Sequence, residues 1–524
     1  MDVTPRSVAR LLEAPLAAVP EEEAVVGPAG RLSYRELDDA VERAVAALHG
    51  LGVGTGTTVA ASLSNDLDIV VAFHAVMRLG GVWVGINRNL APPERAYILE
   101  DSGASLYLSD AETAAGMRAA LDVVVVDRGD VALGRGPWDQ AAGDPRDRPP
   151  VDPLAPAGLA YTSGTTGRPK GVVHSQHNLV VPGEVLVATR GWDGSLRKGD
   201  CLPLTILNLI VLSTLTTAQA HGTCVLIDRM DAAGITEQLH RERVTTWNGV
   251  PALLSTMAKA PEILPSHLAT LDEVWTGGDA CPPEIKQQFR AKFGVTPVST
   301  YGLTEAPTIV AIDDRGTPGP DGASGRTLPH LRLTIRGPDG RALPPGEGEV
   351  GEVGLEPVTE GRWAGLYRSM LGYLGNEQAT AEAFSDGVLL TGDLGEIDAD
   401  GYLVIRSRRN AVIIRGGANV YPAEVERVIN EVPGIRGAVV FGVPDERLGQ
   451  RVAAAVELDP GADVTVEAIV AWCAEQLAAY KVPERVVVLA DLPRNSMGKV
   501  ERSKLPGLIG DRPPASAPPG RRTS

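Results

Sequence analysis

Aromatic residues are scarce in this chain of 524 residues, where Phe, Trp and Tyr together make up 4% of the sequence. Hydrophobic residues nevertheless reach 44%, so a large core can form, and it must be built mainly from Ala, Val, Leu and Ile. With this composition, a folded chain is expected rather than an intrinsically disordered one. At roughly 150 residues per domain, the length predicts about three structural units.

Cysteine is also rare, and its four residues lack any Cys-x-x-Cys spacing. They are Cys201, Cys224, Cys281 and Cys473. The scatter argues against a disulfide framework and against a thiolate zinc site, so we interpret the four residues as free thiols.

Basic charge is in deficit, since Lys and Arg number 49 against 66 Asp and Glu, a net charge of −17. A nucleic-acid-binding protein would carry a basic face, so this class is not expected. Met1 to Pro20 lacks the apolar core of a signal peptide. The most apolar long stretch, Pro203 to Gly222, includes Asn208, Gln219 and His221, so no membrane span is predicted and a cytoplasmic protein is expected.

Several familiar catalytic patterns are missing as well. No Walker A loop, Ser/His/Asp signature or His-Glu-x-x-His motif occurs. The pair His174 and His177 has a spacing that only weakly suggests a metal site, and we expect both to serve in packing.

Strand and helix patterns alternate through the first part of the chain. Ser33 and Glu36 form a capping-box pattern that predicts a helix start. Apolar strand-like runs such as Val59–Leu63 and Val82–Ile86 alternate with helical stretches such as Leu67–Met77. This alternation predicts an α/β fold with mostly parallel sheets. Leu204–Ala220 is predicted to be an apolar helical segment.

A dense loop of glycine and hydroxyl residues follows the apolar run Leu159–Tyr161. Glycine lets backbone N–H groups turn toward an anion, hydroxyls add neutral donors, and a lysine adds positive charge. The loop is therefore predicted to cradle phosphate. Its candidate residues are Thr162, Ser163, Gly164, Thr165, Thr166, Gly167 and Lys170.

Four further motifs follow in order. They are Tyr301-Gly302-Leu303-Thr304-Glu305, Thr391-Gly392-Asp393 with Arg408, the paired Gly416-Gly417 before Pro422, and Leu492 to Val500 with Lys499. Together with the phosphate loop, they resemble the motifs of the acyl-adenylate-forming superfamily, which includes acyl- and aryl-CoA ligases. The match runs from about Arg31 to Leu505.

The resemblance implies a role for each motif. Tyr301 would stack on adenine, and Gly302, Gly278, Asp279 and Ala280 would also take part in binding ATP or AMP. Thr304 would donate to the α-phosphate, and Glu305 would hold Mg²⁺. Asp393 would accept hydrogen bonds from the ribose hydroxyls, with Arg408 in support. Lys499 would stabilise the charge of adenylate formation, with Thr304 and Glu305 as the other catalytic residues.

The resemblance also implies the domain organisation and the reaction. An N-terminal domain over residues 1–409 would comprise stacked, mostly parallel sheets and a β-barrel-like region. A small mobile α+β domain over 410–510 would follow a hinge at Asn410, and 511–524 would form a disordered tail. The implied reaction makes acyl-AMP from ATP and a carboxylic acid, and then a thioester with CoA at a tunnel beside Gly416 and Gly417.

The acyl pocket is where the sequence departs from the family. Its expected lining is Ile206, Leu207, Asn208, Leu209, Asn248, Val250, Thr276 and Gly277. Ile206 replaces the usual His or aromatic residue, and Leu207 stands where amino-acid-activating relatives hold an Asp. Because an ammonium against Leu207 would be buried without a partner, we expect an apolar aryl, alicyclic or medium-chain acid. The hinge Asn410 and Leu448 are also atypical.

The sequence leaves the acceptor open. A CoA ligase is the first interpretation, and an amide synthetase and a stand-alone loader of a carrier protein are the alternatives. A catalytically inactive nucleotide sensor is disfavoured because Lys499, Glu305 and Asp393 are all present. The sequence identifies neither the acid nor the oligomeric state, and a homodimer is left open.

Overall fold

A computed structural model describes residues 4–115, 122–140, 150–162, 169–277, 281–346, 348–415, 418–445, 447–494 and 500–509. The chain separates into two compact units. The first comprises Met1–Leu333 and Leu355–Thr391, and the second comprises Thr334–Gly354 and Gly392–Ser524. The domain boundary near residue 410 remains a prediction. The tail at 511–524 lies outside the described residues.

The strands are numbered in chain order. They are β1 (Glu23–Gly27), β2 (Gly30–Ser33), β3 (Thr58–Ser62), β4 (Val82–Gly85), β5 (Leu106–Ser109), β6 (Asp122–Val125), β7 (Pro156–Thr162), β8 (Lys170–Ser175), β9 (Arg197–Asp200), β10 (Thr223–Leu226), β11 (Thr246–Gly249), β12 (Glu273–Thr276), β13 (Val298–Leu303), β14 (Thr308–Ile312), β15 (Arg326–Thr327), β16 (Leu331–Arg336), β17 (Gly351–Pro357), β18 (Gly372–Tyr373), β19 (Phe384–Ser385), β20 (Val388–Ile397), β21 (Leu403–Arg408), β22 (Ile413–Arg415), β23 (Ala418–Val420), β24 (Ile435–Asp445), β25 (Gly449–Leu458) and β26 (Arg485–Leu489).

The helices follow the same order. They are α1 (Glu13–Ala18), α2 (Tyr34–Gly50), α3 (Leu67–Arg78), α4 (Pro92–Asp101), α5 (Ala111–Ala114), α6 (Asp130–Leu133), α7 (Gln176–Arg190), α8 (Leu207–Ile210), α9 (Thr216–Ala220), α10 (Ala232–Arg241), α11 (Pro251–Lys259), α12 (Pro283–Phe293), α13 (Glu377–Glu382), α14 (Pro422–Asn430), α15 (Val466–Gln476) and α16 (Leu505–Ile509). None in the described part of the chain is both long and apolar enough to cross a membrane.

Two large sheets organise the first unit. One has the strand order β15-β14-β13-β12-β11-β9-β10-β1-β2, with parallel pairing from β13 through to β1. The other has the order β18-β8-β7-β4-β3-β5-β6, with parallel pairing from β7 to β6. The predicted α/β class with mostly parallel sheets is therefore confirmed.

Apolar strand residues and helices α2 and α3 form the main core of this unit. Helix α3 is buried along nearly its whole length, which explains why its sequence is apolar on all sides. Trp83 on β4 lies edge-on to Phe73 at 5.6 Å between ring centroids. This aromatic pair packs where the sheet and helix α3 meet. The four cysteines of the chain are free thiols, as expected, and three of them are buried.

The predicted helix over Leu204–Ala220 begins later than expected and is interrupted. Helix α8 starts at Leu207, a π-helical segment occupies Val211–Leu215, and α9 completes the run. Short π-helical insertions are rare, and those that do occur are often found at functional sites.

The second unit is built on an antiparallel sheet of order β23-β22-β25-β24, to which β26 adds in parallel. Helices α14 and α15 contribute Val425, Val428, Ile469 and Cys473 to its own hydrophobic core. The α+β character expected for the C-terminal part is confirmed. Strand β20 contains a boundary between the units, and it pairs with β19 in the first unit and with β21 in the second.

The capping box at the start of α2 is present in full. The Ser33 hydroxyl accepts a hydrogen bond from the Glu36 amide at 3.2 Å, and the Glu36 carboxylate accepts one from the Ser33 amide at 2.8 Å. Each bond satisfies a backbone N–H near the start of the helix.

Replacing this cap should weaken the first unit measurably. We expect Ser33→Ala to lower the free energy of unfolding by about 1 kcal/mol, because an N–H loses its acceptor. Urea denaturation of the full chain, followed by circular dichroism, provides the measurement. The matched variant Ser33→Thr keeps the hydroxyl and should lose less, whereas equal losses would show that the hydroxyl is not the source.

Candidate active site

The predicted phosphate loop connects two antiparallel strands of the first unit. Thr162 at the end of β7 lies opposite Lys170 at the start of β8. Ser163, Gly164, Thr165, Thr166 and Gly167 lie outside the described residues. The strand ends are held by hydrogen bonds, since the Tyr161 hydroxyl donates to Asp101 at 2.7 Å and the Tyr97 hydroxyl donates to the Pro169 carbonyl at 3.1 Å.

The Tyr301–Glu305 motif forms the end of β13 and the turn that follows it. Strand β13 pairs with β14, and its register shifts between Tyr301 and Gly302. A Cβ atom at Gly302 would lie 2.1 Å from the Thr308 carbonyl oxygen, so only glycine fits there. Thr304 and Glu305 then lie half-buried in the turn.

Backbone contacts fix this turn within the first unit. The Thr304 carbonyl accepts a hydrogen bond from His174 Nε2 at 2.7 Å, and the Glu305 carbonyl accepts one from the Met370 amide at 2.8 Å. Burial lowers the pKa of His174 to about 4, so this imidazole is neutral at pH 7. His177 similarly donates from Nε2 to the Leu366 carbonyl at 2.8 Å. Both histidines therefore serve the packing role expected of them.

The Tyr373 side chain contacts residues from two of the predicted motifs, Glu305 and Lys170. Its hydroxyl donates to Glu305 Oε1 at 2.8 Å, and the Lys170 ammonium lies 5.1 Å from its ring centroid. Strand β18 positions Tyr373 by pairing it with Val172 of β8. No role for Tyr373 was predicted from the sequence.

Asp393 and Arg408 form an ion pair in the second unit. They lie directly opposite each other on β20 and β21, and Arg408 Nε is 2.7 Å from Asp393 Oδ1. Asp393 is buried, while the Arg408 side chain is 60% exposed. The ion pair joins Arg408 to one oxygen of the Asp393 carboxylate, Oδ1.

The predicted acyl-pocket residues lie on two parts of the first unit, the edge of a sheet and the start of a helical segment. Asn248 and Val250 flank the carboxyl end of β11, and Thr276 and Gly277 stand at the carboxyl end of the adjacent parallel strand β12. In open α/β sheets, ligands bind outside this edge of the strands. A Cβ atom at Gly277 would lie 2.1 Å from Thr300 Oγ1, which explains the glycine.

The other element is the start of the helical segment. Ile206 precedes α8, and Leu207 is buried, with its side chain filling the space above Gly158 of β7. Asn208 Oδ1 and Thr276 Oγ1 are buried atoms without a hydrogen-bond partner among the described residues. Two polar atoms on the predicted lining are thus available to a polar group.

Comparisons with known proteins agree with this arrangement. The family model described as AMP-binding enzyme matches residues 12–356, and that described as AMP-binding enzyme C-terminal domain matches residues 424–499. The chain belongs to the AMP-binding enzyme family. The predicted superfamily of acyl-adenylate-forming enzymes and the predicted enzyme class, AMP-forming ligases of the acyl-CoA synthetase type, are confirmed.

Relatives of this AMP-binding enzyme carry different acids and acceptors in their names. The long-chain-fatty-acid–CoA ligase FadD13 of Mycobacterium tuberculosis is 32% identical, over 93% of this chain and 95% of that protein. The anthranilate CoA ligase AuaEII, solved with anthranoyl-AMP, is 25% identical with a TM-score of 0.85, covering 97% and 98% of the two chains. The amide bond synthetase McbA of Marinactinospora thermotolerans is 28% identical with a TM-score of 0.82, covering 96% and 100%.

Some predicted site residues cannot be placed in this AMP-binding enzyme. Gly278, Asp279, Ala280, Gly416, Gly417 and Lys499 lie outside the described residues. The backbone at Asn410 forms part of a 3-10 turn, Arg409–Ala411. No group of three or more His, Cys, Asp or Glu side chains suited to a metal occurs within the described ranges.

A buried charge pair beside Asn248 was not predicted from the sequence. Lys198 and Asp200 are fully buried on β9, and burial lowers the pKa of Lys198 to about 8 and raises the pKa of Asp200. The Lys198 ammonium also lies 4.5 Å from the Trp275 ring centroid. Strand β9 reads Arg-Lys-Gly-Asp, which has no apolar residue to mark it as a buried strand.

This lysine should make stability rise with pH in a defined window. Between pH 8 and 10.5, the unfolded chain holds a proton that folded Lys198 has released, so the free energy of unfolding rises with pH through this group. We expect Lys198→Met to remove that rise. The measurement is urea denaturation at several pH values, compared with Lys259→Met at an exposed position. An unchanged pH slope in Lys198→Met would contradict the pKa assignment.

Proposed function

We propose that this protein activates a carboxylic acid with ATP to form an acyl-adenylate and then transfers the acyl group to CoA. The observation that carries the proposal is the contact of Tyr373 with both Glu305 and Lys170. A cation and a carboxylate are thereby held at one place beside the predicted phosphate loop. Such a place suits a polyphosphate that is bound together with a divalent cation.

The chemistry requires positioning more than a covalent enzyme nucleophile. A carboxylate oxygen of the acid attacks the α-phosphorus of ATP, the bond to the β-phosphate oxygen breaks, and pyrophosphate leaves with the electron pair. The sulfur of CoA then attacks the acyl carbonyl, AMP leaves, and the thiol proton is released. No residue of the chain needs to become acylated.

Residues of the first unit would bind the nucleotide and its phosphates. Lys170 supplies a positive charge for phosphate, the Thr304 hydroxyl donates to the α-phosphate, and the Tyr301 ring offers a face to adenine. Thr162, at the edge of the loop, adds another hydroxyl. In this proposal, the backbone contacts of Thr304 and Glu305 keep the turn in place before the substrate binds.

The Glu305 carboxylate fits a Mg²⁺ site. One oxygen accepts the Tyr373 hydroxyl, which orients the group, and carboxylate oxygens are the ligands that this hard cation prefers. When bound, Mg²⁺ would neutralise phosphate charge. In the second unit, Asp393 would accept from the ribose hydroxyls while Arg408 holds its carboxylate in place.

The resemblance to the family supports the remaining assignments. Lys499 would stabilise the transition state of adenylate formation, and Gly416 and Gly417 would let pantetheine approach the backbone closely. Because these residues serve different half-reactions yet lie on the same C-terminal part, we propose that it rotates near Asn410 between the two steps.

The predicted lining favours an apolar acid without a free α-amine. Ile206, Leu207 and Val250 offer no charge to an ammonium group, and an unpaired ammonium is costly to bury. An aryl, alicyclic or medium-chain acid fits this lining. The unpartnered Asn208 Oδ1 would accept a hydrogen bond from a hydroxyl or ring N–H on such an acid.

An amide synthetase is the second candidate function. The structural similarity to the amide bond synthetase McbA supports it, since both activities share the acyl-adenylate intermediate and differ in the acceptor. A stand-alone loader of a carrier protein would differ in the same way. The acceptor must therefore be identified from the product.

Exchange of pyrophosphate into ATP across a panel of acids tests the proposal. Benzoates, cyclohexanecarboxylates and medium-chain fatty acids should support exchange, graded by about 0.8 kcal/mol for each buried methylene. Preference for an amino acid over its des-amino analogue would contradict the predicted lining. Product analysis with CoA, an amine panel and a carrier protein then distinguishes the acceptors, and exclusive amide formation would overturn the thioester proposal.

Lys499→Ala should separate the two half-reactions. We expect adenylate formation to fall by at least about a hundredfold, because a preorganised charge at the reacting phosphate is lost. Thioester formation from supplied acyl-AMP should largely survive. Comparing pyrophosphate exchange with acyl transfer from synthetic acyl-AMP provides the measurement, and equal loss in both would contradict the assigned role.

A further inference from the structure

A continuous chain of buried polar contacts links the two elements of the predicted acyl pocket. The Lys198 ammonium donates to Asn248 Oδ1 at 2.7 Å, and Asn248 Nδ2 donates to Asp200 Oδ2 at 2.8 Å. The Ser213 hydroxyl donates to the same Asp200 oxygen at 2.6 Å. We call these four residues the Asp200 network, and none is more than 6% exposed.

The strands place three members of the network on one face of the sheet. Lys198 and Asp200 are two residues apart on β9, so their side chains share a face. Strand β11 pairs in parallel with β9, and its Asn248 lies directly opposite Asp200. The fourth member, Ser213, is at the centre of the π-helical segment Val211–Leu215. The network therefore connects a strand end to the helical element.

The Asp200 carboxylate is the centre of these contacts. Its Oδ2 accepts from Ser213 and Asn248, and its Oδ1 accepts from the Leu202 amide at 2.9 Å. Leu202 begins the stretch that leads into helix α8. A single buried carboxylate thus fixes the entry to the helical segment, its middle and the neighbouring strand.

Both ends of the Asn248 amide are hydrogen-bonded within the Asp200 network. Its oxygen accepts from Lys198 and its nitrogen donates to Asp200. Releasing the side chain would leave two buried charges with fewer partners, which is costly. The network consequently holds Asn248 in one position, where its side chain contributes shape to the predicted pocket.

The π-helical segment is the part of the helical element that the network contacts. An extra residue in a helical turn weakens its regular hydrogen bonding, and here the Thr216 hydroxyl bonds the Val211 carbonyl five residues earlier at 2.8 Å. The hydrogen bond from Ser213 to Asp200 ties this segment to the sheet. Displacement of the segment would move Leu209, a predicted lining residue in helix α8 just before it.

We propose that Asp200 is a positioning residue that sets the width of the acyl pocket by holding Ser213 and Asn248 at a fixed separation. This inference rests on the proposed function, because it assigns acid selectivity to a group that does not touch the acid. In this proposal, Lys198 does not recognise a charge on the substrate, because its ammonium is fully buried and bound to Asn248.

The test uses Ser213→Ala, which removes one hydroxyl and leaves the charge pair intact. The matched control is Thr214→Val, because the Thr214 hydroxyl is also buried but bonds the Ile210 carbonyl of its own helical segment, at 3.0 Å. Calorimetry measures Kd for AMP and for two acyl sulfamoyladenosines, which are stable acyl-adenylate analogues that differ by one methylene in the acyl group.

We expect Ser213→Ala to change the ratio of the two analogue Kd values by about tenfold, the scale of discrimination for one methylene. The Kd for AMP should stay within about twofold, and Thr214→Val should leave the ratio at the wild-type value. Hydrogen exchange in the free protein should become faster at Val211–Leu215 in Ser213→Ala only.

Failure of this inference can be told apart from failure of the proposed function. An unchanged Kd ratio in Ser213→Ala, with normal AMP binding, would overturn the positioning role alone. Equal changes in Ser213→Ala and Thr214→Val would overturn it too, because any loss of a buried hydroxyl would then suffice. Absence of AMP and analogue binding in the wild type would instead overturn the proposed function, and this inference with it.

Discussion

Burial of charge in the sheet of the first unit is the constraint on which the candidate site depends. A buried carboxylate such as Asp200 is tolerated only when donors surround it, and here an amide, a hydroxyl and a backbone N–H do so, with Lys198 as counter-charge. Each donor comes from a different part of the chain. Satisfying one carboxylate therefore fixes the relative positions of β9, β11 and the helical segment.

Hydrogen bonds also fix the turn after β13, where the groups are neutral or half-buried. Neutral His174 donates to the Thr304 carbonyl, and the Tyr373 hydroxyl donates to Glu305. Both contacts orient groups without adding positive charge to them. In the proposed function, a turn arranged in this way would present its hydroxyl and carboxylate to an incoming phosphate and its cation.

Selectivity and chemistry have separate structural sources in this proposal. Groups that bind nucleotide lie on turns with short, recurrent motifs, whereas the pocket lining depends on how a helical segment is held against a sheet. Relatives named for fatty acids and for anthranilate share this fold with the chain. A difference in acid among them is compatible with a constant nucleotide site, because the lining can change without altering the motif turns.

The family, the α/β class and the capped start of helix α2 follow from the sequence alone, because these depend on local patterns. Glycine spacing, a capping box and strand–helix alternation act over a few residues and are visible in the chain itself. The roles of Tyr373, Lys198 and Asp200 emerge only from tertiary contacts. Their partners are distant in the chain, such as Asn248 for Lys198, and a strand of charged residues becomes a core strand only when those partners satisfy it.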